Sequence, residues 1–198
     1  IMDLRLEALR ARINPHFIYN ILNHEIARRE QGLPSHLDAL VRLLRRQSVI
    51  VSEVYVSLAE DLSFVDDYVS LESDRVSVPV SYNKSIAPDI DPEKVFLPSM
   101  VLMIFVENAF KHGIGTAENS FIHINIYADR NHIACEIENS NFPKNDTDRS
   151  GHGIGIEQVG KRLELAYHKK YTWEKGTKDN NKIYYSNIYI YDTKLRDN

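Results

Sequence analysis

From position 2 to about position 30, apolar residues recur at three- and four-residue steps. Leu6, Leu9, Ile13, Phe17 and Ile21 form one stripe, and Leu4, Ala11, Ile18, Leu22 and Ile26 form a second almost opposite it. That is the period of an α-helix covered on two sides. Pro15 interrupts the pattern, because a proline inside a helix removes one backbone hydrogen bond and costs about 3 kcal/mol. It either kinks one long helix or opens a new one with Asn14 as its N-cap. In both cases His16 stands at a distortion on the edge of the main apolar face, with Asn20 one turn further on the same side. Gln31-Gly32-Leu33-Pro34-Ser35 reads as a turn, with Ser35 able to cap the next helix. Leu37, Leu40, Val41 and Leu44 then predict a second amphipathic helix, antiparallel to the first. Such a hairpin cannot bury both its apolar faces alone, and pairing with a second copy into a four-helix bundle would do so.

After an extended stretch over 51–57, Leu58, Leu62, Val65, Tyr68, Val69 and Leu71 predict another helix, with Glu60, Asp61, Asp66, Asp67 and Glu72 on its solvent side. Near Asp74–Ser77 the pattern changes to alternation. Residues 78–86 read as a strand, at a sheet edge because of Pro79. Residues 97–112 read as a mostly buried helix, and 121–128 with 132–138 as an antiparallel hairpin turning at Asp129-Arg130-Asn131. A polar loop follows over 139–153, then a helix over 156–168. A second hairpin pairs 171–175 with 183–191 across 176–181, so that Gly176-Thr177 falls in the turn. Helices on one face of a mixed, mostly antiparallel sheet make an α+β two-layer sandwich.

A length of 198 residues suits a helical appendage plus one ordinary domain. The net charge of -4, with basic residues scattered, gives no nucleic-acid footprint. Cys135 has no second cysteine to pair with and lies in an apolar alternating run, which points to a reduced setting and a small buried hydrophobe. No apolar run reaches the roughly 18 residues of a membrane span. The first residues already read as the middle of a helix, so the sequence is expected to be part of a longer protein.

Two places look chemical. Val106-Glu107-Asn108-Ala109-Phe110-Lys111-His112-Gly113 closes an apolar helix with a polar cluster. Asn108 and Lys111, three apart, share a face and offer an oxygen ligand beside a positive charge, as a magnesium–nucleotide site requires. The same residues also read as an ordinary polar helix end capped by Gly113. Gly151-His152-Gly153-Ile154-Gly155 leads into a helix, where close-approaching backbone and free amides favour phosphate. The other histidines carry less. His24-Glu25 fails the two-histidine zinc pattern because position 28 is Arg28, and His36, His123, His132 and His168 show no ligand spacing.

The order of the pieces carries more than any one of them. Ile13-Asn14-Pro15-His16-Phe17 with Asn20, Leu22 and Asn23 resembles the phosphoacceptor signature of the LytS-like sensor histidine kinases. Leu58-Ala59-Glu60-Asp61 with Tyr68, Leu71-Glu72 and Arg75 resembles their connecting helix. Leu97-Pro98 with Val106-Glu107-Asn108-Ala109 and Lys111-His112-Gly113 is similar to their N-box, and Gly151 to Gly155 with Val159, Arg162 and Leu163 to their second glycine box. This resemblance implies a dimerising and phosphotransfer hairpin over 1–57. It implies a catalytic domain over 58–198, led by the connecting helix 58–75 and built on the GHKL ATPase fold shared with gyrase and heat-shock chaperones. It further implies ATP and Mg2+, with His16 as phosphoacceptor and Asn20 orienting its ring. Asn108 would hold the metal, Lys111 and His112 would face the phosphates, Asn139 would meet the adenine, and Gly151, Gly153 and Gly155 would hinge a lid. The implied partners are a second copy of the chain and a response-regulator receiver domain. The implied location is the cytoplasmic side of a bacterial inner membrane, anchored only through an N-terminal sensor segment outside this sequence. The alternative is a pseudokinase, which binds nucleotide or its dimer partner without turnover. Asn139, a neutral residue where many relatives have aspartate, favours that alternative.

Overall fold

The computed structural model describes residues 15–50, 53–76, 78–115, 120–128, 132–142 and 154–191; the side chains of 15, 16, 50 and 154–158 fall outside that description. In chain order the elements are helices α1 (Pro15–Glu30) and α2 (Leu37–Ile50), strand β1 (Tyr55–Ser57), helix α3 (Leu58–Arg75), strands β2 (Val80–Ile86) and β3 (Phe96–Pro98), and helix α4 (Val101–Asn108). A π-helical turn, Ala109–Gly113, extends α4. Strands β4 (Ser120–Ala128) and β5 (Ile133–Ser140), helix α5 (Ile154–Tyr167) and strands β6 (Tyr171–Lys178) and β7 (Ile183–Ile190) follow.

Helix α1 ends where the sequence predicts. Gly32 takes φ +71°, the Leu33 amide donates to Arg28 O at 2.9 Å and the Gly32 amide to Arg29 O at 3.1 Å, which satisfies the last carbonyls. Ser35 Oγ accepts from the Leu37 amide at 3.2 Å as α2 begins. The two apolar stripes of α1 differ in burial, although Ile18 of the second stripe also packs against the core. Phe17 and Ile21 are buried within the chain, whereas Tyr19, Leu22 and Ile26 are exposed. On α2 it is Ala39, Leu40 and Leu43 that turn inward, leaving Leu37 and Val41 exposed.

Helix α3 spans the residues expected of it and starts on an N-cap: Ser57 Oγ accepts from the Glu60 amide at 3.2 Å. It packs against the hairpin and against α4, and this corrects the expected solvent face. Asp61 and Glu72 are buried, because a helix covered from several sides encloses polar residues too. Glu72 is paired there, accepting from Arg75 at 3.0 and 2.6 Å.

The sheet has the order β2-β4-β5-β7-β6, with β2 parallel to β4 and every other pair antiparallel. Burial alternates along β4: Ile122, Ile124 and Ile126 face the core while His123 and Asn125 face solvent. Together with Ile137, Ile188, Val159, Leu163 and the apolar α4, they form one continuous core. Strand β2 lies at the edge, as Pro79 predicts.

Two expectations change. Leu97-Pro98 is not helical: it lies in β3, paired with β1 through Val56↔Leu97, and α4 starts only after Met100 turns the chain at φ 68°. The proline disfavours helical geometry in the residue before it, and the strand partner takes up that residue's backbone. Gly176-Thr177 lies inside β6, opposite Tyr185 and Tyr184; Asp179, Asn180 and Asn181, all with positive φ, make the turn instead. The turn expected at 129–131 and most of the loop before α5 lie outside the described residues.

Candidate active site

Helix α4 is apolar and buried through Val106, so its polar end is delivered to one place by core packing. There the helix widens into the π-turn, a departure that recurs at functional sites. Asn108 is the last α-helical residue, and its amide nitrogen Nδ2 is enclosed without a hydrogen-bond partner among the described residues. An enclosed amide without a partner is costly unless a ligand or water completes it. Lys111 is exposed and His112 half-buried on the π-turn.

Gly113 is pressed against β5. A Cβ there would lie 2.3 Å from Asn139 Nδ2 and 2.4 Å from Ser140 O, so only glycine allows this approach. Ser140 fastens the contact, donating through Oγ to Gly113 O at 2.6 Å and accepting from the Phe121 amide at 3.1 Å. Asn139 is buried, and its Nδ2 donates to Ser140 O at 2.7 Å. The fold therefore gathers Asn108, Lys111, His112 and Asn139, separated in sequence by a strand pair, around the end of α4. Gly155 is the second residue of α5; Gly151 and Gly153 lie outside the described residues. Helix α5 is anchored by buried Arg162, whose Nη1 donates to Ser99 O just before α4.

Glu107 received no role from the sequence. Its carboxyl is shifted above the usual carboxylate range, first by burial and further by Glu72, with Lys111 acting against the shift. A single carboxylate in an otherwise apolar helix is the signal that could have flagged it. Asp61 is the other perturbed acid. Burial pushes it up to about 7 against the opposing effects of the Leu102 amide and the Arg162 charge. Burial likewise raises the Cys135 thiol to about 12, which keeps it inert as expected.

His16 is the second residue of α1, and its side chain lies outside the described residues; Asn20 is half-buried one turn on. Phe17, next to His16, stacks on Tyr68 of α3 with ring centroids 4.8 Å apart at 26°. Tyr68 in turn meets Phe110 of the π-turn edge-on, at 5.9 Å and 76°. Three rings thus join the helix that carries His16 to the turn between Asn108 and Lys111, a link invisible to sequence periodicity.

The fold is that of a histidine kinase domain. The chain aligns over 99% of its length with 98% of the histidine kinase domain from an Erythrobacter litoralis blue-light activated histidine kinase, with a TM-score of 0.55 at 10% identity. The sequence model of the family described as Histidine kinase matches residues 4–78. Among curated proteins, the sensor histidine kinase BtsS of Escherichia coli (strain K12) is 28% identical over 170 residues, 84% of this chain and 30% of that protein. The sensor protein LytS of Bacillus subtilis (strain 168) is 29% identical over 115 residues, 57% of this chain and 19% of that protein. The chain is accordingly similar to sensor histidine kinases, a LytS protein among them, at modest identity, and it spans less than a third of the length of these two proteins.

Proposed function

We propose that the chain is the core of a sensor histidine kinase that transfers the γ-phosphoryl group of ATP to His16, for onward transfer to an aspartate of a response-regulator receiver domain. The observation that carries this reading is the Phe17–Tyr68–Phe110 ring contact, which couples the His16 helix to the candidate nucleotide end of α4. Residues 1–57 serve as the dimerising and phosphotransfer module, and 58–198 as the catalytic domain with its connecting helix. The relatives are named as sensor proteins, which supports a sensor whose cytoplasmic portion includes this chain; no described helix is long and apolar enough to cross a membrane.

The residues at the end of α4 are chemically suited to a magnesium nucleotide: the Asn108 side chain offers its oxygen to a hard cation, its enclosed Nδ2, a donor without a partner among the described residues, suits a phosphate oxygen, and Lys111 adds positive charge three residues on. Mg2+, held by Asn108, would supply charge neutralisation at the phosphates. Lys111 and His112 face the phosphate chain, Asn139 meets the adenine at the floor, and Gly151, Gly153 and Gly155 let the segment before α5 close. A neutral ring nitrogen of His16, with Asn20 orienting the ring, attacks the γ-phosphorus. The nitrogen–phosphorus bond forms as the bond to the bridging oxygen breaks, ADP leaves with the electron pair, and the ring gives up its proton to solvent. The chain's contribution is alignment and charge placement, which are the main demands of phosphoryl transfer.

A second reading, a nucleotide-binding module without turnover, is favoured by Asn139. Its amide is already committed to Ser140 O, and a neutral acceptor holds adenine less firmly than aspartate. Binding of a fluorescent ATP analogue tests the site common to both readings. We expect Mg2+-dependent binding that Asn108→Ala weakens at least tenfold while the far-UV circular dichroism is unchanged. Equal affinity in the variant would show that the metal site lies elsewhere.

A further inference from the structure

Where α1 ends, α2 begins and α3 makes its last turn, three potential metal ligands from three segments converge. Ligand atoms of Glu25, His36 and Asp74 all lie within 4.8 Å of one another. His24 Nε2 is 3.0 Å and His36 Nδ1 3.3 Å from the same carboxylate oxygen, Asp74 Oδ2. For bonds of about 2.0–2.1 Å, a tetrahedral zinc ion spaces its ligands by about 3.3 Å, so the separation of His36 from Asp74 suits neighbouring ligands of one ion.

We propose that this elbow is a binding site for a divalent transition-metal ion of the zinc class, with Glu25, His36 and Asp74 as its three protein ligands and solvent in the fourth position. One imidazole with two carboxylates forms a donor set that suits zinc, and its nitrogen makes it poorer for magnesium or calcium, which take oxygen ligands. Glu25 is buried and already oriented. Its Oε2 accepts from Ser35 Oγ and from the His36 amide, both at 2.8 Å, and supporting hydrogen bonds of this kind accompany metal-bound carboxylates. Charge leaves room for a cation, since Glu25 and Asp74 together outweigh Arg28. Arg28 Nη1 donates to Asp74 Oδ1 at 2.9 Å and Oδ2 at 2.8 Å, and its Nε to Pro34 O at 2.9 Å. An ion on Oδ2 leaves Arg28 its bonds to Oδ1 and to Pro34. The His36 imidazole can carry its single proton on Nε2, presenting the Nδ1 lone pair to the ion.

Such an ion would staple the hairpin to α3. Helix α1 carries His16 eight residues before His24, and α3 carries Tyr68 of the ring contact, so a bound ion would hold fixed the packing that places the acceptor helix. None of this depends on nucleotide or on transfer.

The test uses the full chain, stripped with a chelator and titrated with Zn2+ in the absence of nucleotide and Mg2+. Affinity is read by calorimetry and folding by thermal melting. We expect saturation at one ion per chain, a higher melting temperature with Zn2+, and affinity at least tenfold weaker in both His36→Asn and Asp74→Asn. His24→Asn removes a hydrogen-bond partner of Asp74 rather than a ligand and should weaken binding less than His36→Asn does. His123→Asn, on the exposed face of β4, should bind as wild type does. No saturable binding, wild-type affinity in His36→Asn, equal loss in His123→Asn, or equal affinity for Mg2+ would overturn the proposal.

Discussion

At Gly113 there is no space for even a methyl group, since Asn139 and Ser140 already stand where it would go. Gly113→Ala should therefore push the end of α4 off β5, destabilising the chain by about 1–3 kcal/mol in urea unfolding. It should also weaken nucleotide binding, because Asn108 and Asn139 would no longer be held together. Asp61 gives a pH-dependent prediction. Its value is raised from 3.8 to about 7 in the folded chain, so the folded state holds the proton more tightly than the unfolded state. The stabilisation from that proton is full below about pH 3.8 and is lost as the pH rises to about 7 and beyond. Wild type should thus lose stability relative to Asp61→Asn between those limits, by a few kcal/mol at most at about 1.4 kcal/mol per pH unit. A stability difference independent of pH would contradict this. At the scale of single residues the sequence was informative about type and incomplete about surroundings. Asn108, Lys111 and His112 were legible because they end an apolar helix together. Asp61 and Glu72 were assigned to solvent because helical periodicity does not show what packs around a helix. His24, His36 and Asp74 meet across a separation of up to 50 residues, which no local spacing reveals.

Among elements, α3 touches both the helical hairpin and the π-turn, with Tyr68 between Phe17 and Phe110 and Asp67 within 3.5 Å of Arg42 and Arg46 on α2. Phe17→Ala removes a buried ring from this junction and should cost about 3 kcal/mol, typical of large-to-small core changes. It should lower the rate of transfer to His16 and leave nucleotide affinity near wild type. A parallel loss of nucleotide affinity would show that the ring contact holds up the binding site rather than aligning the acceptor. Element boundaries were legible where a local signal marks them, as Ser57 and Glu60 mark the start of α3 and Gly32 the end of α1. They failed at Leu97-Pro98, where pairing with β1 overrides an apolar run that continues into α4. They failed again at Gly176, where glycine sits in a strand beside the Tyr185 ring rather than in a turn.

For the whole molecule, the two-sided apolar pattern of α1 has a direct structural counterpart. Tyr19 (64% exposed) and Ile26 (58%) stand on the side of α1 left uncovered, with Leu22 beside them and Leu37, Val41 and Val49 exposed on α2. Exposed apolar rows of this extent mark an interaction surface, and a second hairpin is the occupant proposed. Leu22→Glu combined with Ile26→Glu should convert a dimer to a monomer in sedimentation experiments; a wild-type monomer would remove the basis for the bundle. The α+β class and the hairpin were legible from periodicity, and the edge strand from Pro79. The three-ring contact was not, because it depends on how separate layers pack. The central claim, phosphoryl transfer to His16, is tested most directly by incubating the chain with γ-labelled ATP and Mg2+. The prediction is acid-labile, base-stable label on wild type and none on His16→Gln. Tight nucleotide binding without label, or label that survives His16→Gln, would contradict it.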